Sequence, residues 1–144
     1  MRTEFSDFVR RYLDAWNRHD VTAIDMLYAA DALQESPLGT LEGLDAIRGY
    51  WQTLLHTFPD LSMDCRLQFV TGFHGVMEWT IKGTHRGHLE TPAGSLPATG
   101  KCIDYSGVLS WEMGDQGNIV YERLYCDFAD LLARLGALKI AVPA

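Results

Sequence analysis

The sequence predicts an α+β protein: helices gathered in the first half of the chain, then a curved antiparallel sheet against which they pack. Three observations carry that prediction. Apolar residues up to His56 recur every three or four positions, the period of a helix with one buried face. From Leu61 onward they alternate with polar residues, the period of a half-buried strand. The chain has 144 residues and no repeat, linker or low-complexity tract, so residues 1–144 are read as a single domain with one core.

The elements follow in order. Phe5, Phe8, Val9, Tyr12, Leu13 and Trp16 mark an amphipathic helix over residues 4–18, closed by the polar run from Asn17 to Asp20. Asp20 is placed to cap a short second helix ending near Tyr28. Ala32–Ser36 reads as a short strand stopped by Pro37 and Gly39. Leu44, Ile47, Trp51, Leu54 and Leu55 share one face of a third helix, Gly43–His56, which ends before Pro59. Leu61, Met63, Cys65, Leu67 and Phe69 alternate along a first long strand. Val76–Thr84, Cys102–Trp111 and Asn118–Cys126 supply three more. His85–Gly100 reads as a long loop and Gly114–Gly117 as a tight turn. Asp127 caps a last helix carrying Phe128, Leu131, Leu132 and Leu135, stopped by Gly136. Helices laid across a strongly curved sheet leave a cone-shaped pocket, and strand alternation says which side chains point into it.

Composition narrows the function. Lys and Arg number 12 and Asp and Glu 19, a net charge of −7 that disfavours nucleic acid or an anionic membrane as partner. No apolar run has the length of a membrane span or the form of a signal peptide, so the expected location is cytoplasmic. Cys65, Cys102 and Cys126 are widely spaced and form no Cys-x-x-Cys pair, and the five His lack metal-site spacing; no metal is expected. The 4 Trp, 6 Tyr and 6 Phe stand out. They suit a generous core or a cavity for a flat apolar ligand.

A set of ordered motifs says more. Tyr12-Leu13-x-Ala15-Trp16-Asn17-x-x-Asp20 is followed by Thr57-Phe58-Pro59-Asp60-Leu61, then Trp79, then Gly83-Thr84-His85-x-Gly87. Pro97-x-Thr99-Gly100-Lys101, Gly117-x-Ile119-Val120 and Asp127-x-x-x-Leu131-x-x-x-Leu135-Gly136 complete it. Over nearly the whole chain this resembles the SnoaL-like polyketide cyclases of the nuclear-transport-factor-2-like and ketosteroid-isomerase-like superfamily. The resemblance implies an α+β cone, a homodimer through the outer sheet face, and cofactor-free chemistry on a small apolar or aromatic ligand.

Strand parity and the resemblance together nominate the site. With Trp79 inward, Met77, Ile81 and His85 share its face. Ile103, Tyr105, Gly107, Leu109 and Trp111 share a face of the next strand, and Glu122, Leu124 and Cys126 of the last. Alignment with the ketosteroid isomerases puts the Glu122–Cys126 face on the cavity. A carboxylate among aromatic walls is an acid/base group whose pKa desolvation raises. Glu122, His85 and Tyr105 are therefore the catalytic candidates. Tyr12, Trp16, Gln34, Trp51, Met77, Trp79, Gly107, Leu109, Leu124 and Cys126 are the substrate-binding ones. Tyr12 matches in position the tyrosine that donates to the oxyanion in ketosteroid isomerases, and it serves equally as core filling. Glu122 could instead pair with Arg123 or Arg86, and His85 could be a hydrogen-bonded structural histidine. Asp127 is foremost a helix cap.

The departures from the resemblance are specific. Where ketosteroid isomerases carry an aspartate base this chain has Ser36, next to Glu35, and their second oxyanion acid falls on Gly107. The aspartate and histidine of the aldol cyclases fall at or near Leu124 and Leu109, and no Asp-Arg-Asp arrangement of the epoxide hydrolases is visible. The expected function is a cyclase or isomerase working by pocket preorganisation and acid/base catalysis on a polyketide-like or other apolar cyclic substrate. The alternatives are a non-catalytic binder of the same fold, an epoxide hydrolase or ketosteroid-isomerase-like enzyme, and a partner-binding adaptor.

Overall fold

The computed structural model describes residues 2–144. The first helix, α1 (Arg2–Asn17), buries Phe5, Phe8, Val9, Tyr12, Ala15 and Trp16, the stripe its spacing requires. Its end is pinned rather than merely capped. The Asn17 side chain donates to the Met63 carbonyl at 2.9 Å and accepts from the Met63 N–H at 2.7 Å, tying helix to sheet. Asp20 accepts from the Thr22 N–H and opens a 3₁₀ turn, Val21–Ala23, that runs into α2 (Ile24–Leu27). Helix α3 (Gly43–Thr57) buries Ile47 and Trp51. Trp51 stacks on Trp16 with ring centres 3.8 Å apart, locking α3 to α1.

Six strands form the main sheet: β1 (Tyr28–Ser36), β2 (Gly39–Glu42), β3 (Ser62–Thr71), β4 (His74–Thr84), β7 (Cys102–Met113) and β8 (Ile119–Tyr125). Two more, β5 (Leu89–Thr91) and β6 (Gly94–Leu96), make a separate ribbon, and α4 (Phe128–Arg134) closes the fold. The sheet order is β2-β1-β8-β7-β4-β3. All neighbours pair antiparallel except β1 with β8, which run parallel. Register shifts leave extra residues in β1, β3 and β8, and each such bulge bends and twists the sheet toward a cone.

Four expectations are corrected. The strand placed at Ala32–Ser36 begins four residues earlier, at Tyr28, and returns as the β1–β2 hairpin across Pro37 and Leu38. The long loop His85–Gly100 contains the β5–β6 ribbon. The antiparallel sheet has one parallel pair. The alternation from Leu61 fails after Cys65: the register shifts between Cys65 and Leu67, and one extra residue inverts parity. Leu67 and Phe69 therefore face solvent, both more than half exposed, while Gln68 and Val70 turn inward.

Candidate functional site

Between α1, α3 and the concave face of the sheet lies a narrow cavity of about 90 Å³. Its buried end is built around Glu122, which is 1% exposed. Sheet register explains its neighbours. Gln34 on β1 and Trp111 on β7 are the cross-strand partners of Glu122 on either side, so all three side chains project from one face. Gln34 Nε2 donates to Oε1 at 2.6 Å, and Trp111 Nε1 to Oε2 at 2.6 Å. Tyr28, the first residue of β1, donates to both oxygens at 2.9 Å. Tyr12 on α1 donates to Oε2 across a longer 3.4 Å.

Glu122 thus sits among four neutral donors and, among the described residues, pairs with no cation. Arg123, its sequence neighbour, points to the outer face and pairs with Glu35 at 2.9 Å. Two opposing effects set the carboxyl pKa. Burial favours the neutral acid and the four donors favour the anion; burial is the larger, so the pKa lies above the ordinary carboxylate range. Burial holds the Tyr12 and Tyr28 phenols protonated, and the Glu122 charge adds to that effect.

The remaining wall is apolar. Trp16, Trp79, Leu109, Leu124 and Cys126 line the cavity as the sequence predicts, with Tyr12 and Gln34 beside Glu122. The exposed Pro37 and Leu38 of the β1–β2 turn mark the open end, with Phe128 of α4 nearby.

Several expected site residues lie elsewhere. His85 is fully buried but outside the cavity wall. Its Nδ1 accepts from the Thr99 N–H at 3.2 Å and bonds the Thr99 hydroxyl at 2.9 Å, while its backbone exchanges hydrogen bonds with Gly100 and Lys101. It fastens the ends of the β5–β6 segment together. The parity of β4 ends at Thr84, so extending it to His85 misplaces that ring. Tyr105 presents its ring to the cavity, but its hydroxyl donates to the Asp127 carbonyl at 2.5 Å and so secures the start of α4. Asp127 Oδ1 accepts from the Asp130 N–H there, a cap as expected. Trp51 and Met77 are buried behind the wall, and Trp111 reaches the site only as a donor to Glu122. Gly107 gives space, not chemistry: a Cβ there would lie 2.3 Å from Trp79 Cζ2.

Sequence reasoning missed Tyr28, whose strand begins where a helix end was expected. It also missed Tyr50 on α3, although Ile47, Tyr50 and Leu54 carry helical spacing toward the cavity. Phe58, Met63, Leu89 and Leu131 complete the apolar wall. Among the described residues no group of three or more His, Cys, Asp or Glu is placed to hold a metal ion. Among the described residues no helix is long and apolar enough to cross a membrane.

Comparison with known proteins agrees with this architecture. Residues 9–122 match the family described as the SnoaL-like domain. TsrD from Streptomyces laurentii superposes with a TM-score of 0.85 at 22% identity, covering 96% of this chain and 98% of that one. AclR from Streptomyces galilaeus, described as a candidate hydroxylase, gives 0.80 at 22%, covering 95% and 98%. IdmH from Streptomyces antibioticus, described as a candidate polyketide cyclase, gives 0.75 at 24%, covering 91% and 97%. At such identities the likeness establishes the fold, which is nuclear-transport-factor-2-like, and leaves the chemistry to the site. No protein of curated function matches the sequence.

Proposed function

The chain belongs to the SnoaL-like domain family, and on that premise we propose that it is a cofactor-independent isomerase or cyclase of a small apolar cyclic ketone, with Glu122 moving the proton. The observation that carries this reading is a carboxyl group in the cavity wall with no cation beside it and a pKa raised by burial. A base of that kind is matched to protons on carbon beside a carbonyl better than an exposed carboxylate is.

The reaction balances without an outside reagent. Glu122 takes a proton from the carbon beside the carbonyl, and the C–H electron pair moves into an enolate. Returning the proton to another carbon completes an isomerisation. If the enolate carbon instead bonds a second carbonyl carbon, that oxygen takes the proton and a ring closes. The Tyr12 bond to Oε2, the longest around Glu122, is the one that gives way to an approaching substrate. The wall formed by Trp16, Trp79 and Leu109 holds the reacting carbon near the base, the positioning part of catalysis. A cavity of about 90 Å³ is small beside the roughly 300–1,000 Å³ of drug-sized sites, which favours one or two rings. Larger substrates require Leu38 or Phe128 to move.

The test needs no native substrate. The protein is expected to accelerate exchange of the C1 protons of 2-tetralone with deuterated water, followed by NMR, and Glu122→Gln to abolish the acceleration. Equal exchange by both proteins would overturn the assignment. One observation favours a second reading, a non-catalytic binder: both Glu122 oxygens already accept protein hydrogen bonds. Binding of 2-tetralone with no accelerated exchange would support that reading instead.

A further inference from the structure

The phenols around the cavity differ in one respect. Tyr12 and Tyr28 donate to Glu122, and Tyr105 donates to the Asp127 carbonyl. Each of those hydroxyls is held by the protein itself. Tyr50 also lines the cavity, from α3, and its hydroxyl makes no hydrogen bond among the described residues. It is half-buried and lies within electrostatic reach of Glu122 and Cys126, on the wall of the cavity. Burial and the Glu122 charge both hold it in the protonated, donating form.

Other donors are more constrained. The indole N–H groups of Trp16 and Trp79 lack partners too, but they are buried beyond contact with any water-sized body. Gln34 Nε2 is held at Glu122 by one of its two N–H groups, and the Ser36 hydroxyl, which accepts from the Leu38 N–H and keeps its own proton, stands near the mouth. A half-buried hydroxyl with no protein partner, on a largely apolar cavity wall, has a ligand acceptor as its natural complement.

We propose that Tyr50 anchors the ligand's oxygen, which restricts the cavity to molecules carrying a carbonyl or similar acceptor within reach of both Tyr50 and Glu122. The inference deepens the reading of the cavity as a ligand site. It also completes the proposed chemistry, because an enolate formed at Glu122 puts negative charge on that oxygen and the Tyr50 hydroxyl stabilises it there. Tyr12, the expected oxyanion donor, points its proton at Glu122 instead.

Binding separates this proposal from proton transfer. Trp16 and Trp79 line the cavity, so their fluorescence reports occupancy. The probes are 2-tetralone and its hydrocarbon counterpart tetralin. Without a donor in the cavity the ketone is the poorer ligand, because it leaves water's hydrogen bonds behind. Wild-type protein is expected to prefer the ketone by roughly 3- to 10-fold, the value of one hydrogen bond. Tyr50→Phe is expected to erase or reverse that preference without shifting Tm, because the hydroxyl holds no other part of the fold. A preference that survives in Tyr50→Phe, or none in wild type, would overturn the role of Tyr50 and leave the Glu122 exchange result standing. Failure of both probes to bind would overturn the ligand site itself.

Discussion

Glu122 and His85 are both deeply buried and both marked by the sequence, with Tyr105, as catalytic, and the fold uses these two in opposite ways. Burial pushes both toward the neutral form, raising the Glu122 pKa and lowering that of His85. Both take hydrogen bonds from neighbouring donors. The difference lies in what surrounds them. Glu122 stands in the middle of the sheet, at the wall of a cavity, gathered by residues from α1, β1 and β7. His85 stands just past the end of β4, tied to Thr99 by bonds that close a loop. A perturbed pKa alone does not identify a working group; access to free space beside the right neighbours does.

The largest expected effect breaks the Glu122 side of this comparison. Glu122→Ala leaves four buried donors without an acceptor and is expected to cost about 3–5 kcal/mol of stability in a denaturant titration. Glu122→Gln keeps an acceptor and much of the packing. It is expected to remain folded while slowing 2-tetralone exchange by roughly 10²–10⁴-fold. Its stability should also respond differently to pH. With a folded-state pKa above the unfolded one, the wild type loses stability as pH rises from the ordinary carboxylate range through the raised value. The Gln variant should lose that slope, and retention of the slope would place the titrating group elsewhere.

Smaller effects sharpen the contrast. His85→Ala removes the acceptor of the Thr99 N–H and leaves a void, with an expected loss of about 2–3 kcal/mol. Exchange per folded molecule should stay within about twofold of wild type; a larger fall would return His85 to the chemistry. Gly107→Ala drives a methyl into the Trp79 ring and is expected to cost about 1–3 kcal/mol and weaken 2-tetralone binding. Tyr105→Phe removes one hydrogen bond at the start of α4, about 1 kcal/mol by thermal melting, with exchange little changed.

How much of this was legible in the sequence depends on how far a periodic pattern ran undisturbed. From Glu122 to the end of β8 the alternation has no interruption, and it places Glu122, Leu124 and the following Cys126 inward. Along β3 a single bulge after Cys65 reversed the faces, and no residue type there announces it. His85 was misplaced because parity was carried beyond the last strand residue. The donors around Glu122 come from elements distant in sequence, with Tyr12 on α1 and Trp111 on β7 meeting only in the folded core. Only the cross-strand register brings Gln34 and Trp111 to the carboxylate. Tyr50 was within reach of sequence reasoning, since it shares the helical face of Ile47 and Leu54, but the neighbouring Trp51 drew the assignment one position away.

The central claim is that Glu122 is a solitary carboxyl whose proton affinity is raised by burial and whose oxygens a ligand can reach. Its carboxyl carbon, followed by ¹³C NMR in Glu-labelled protein across pH, reads both parts at once. The titration midpoint is expected above the ordinary carboxylate range, and the resonance is expected to change when 2-tetralone is added. A midpoint at the ordinary value, or a resonance indifferent to bound ligand, would contradict that claim.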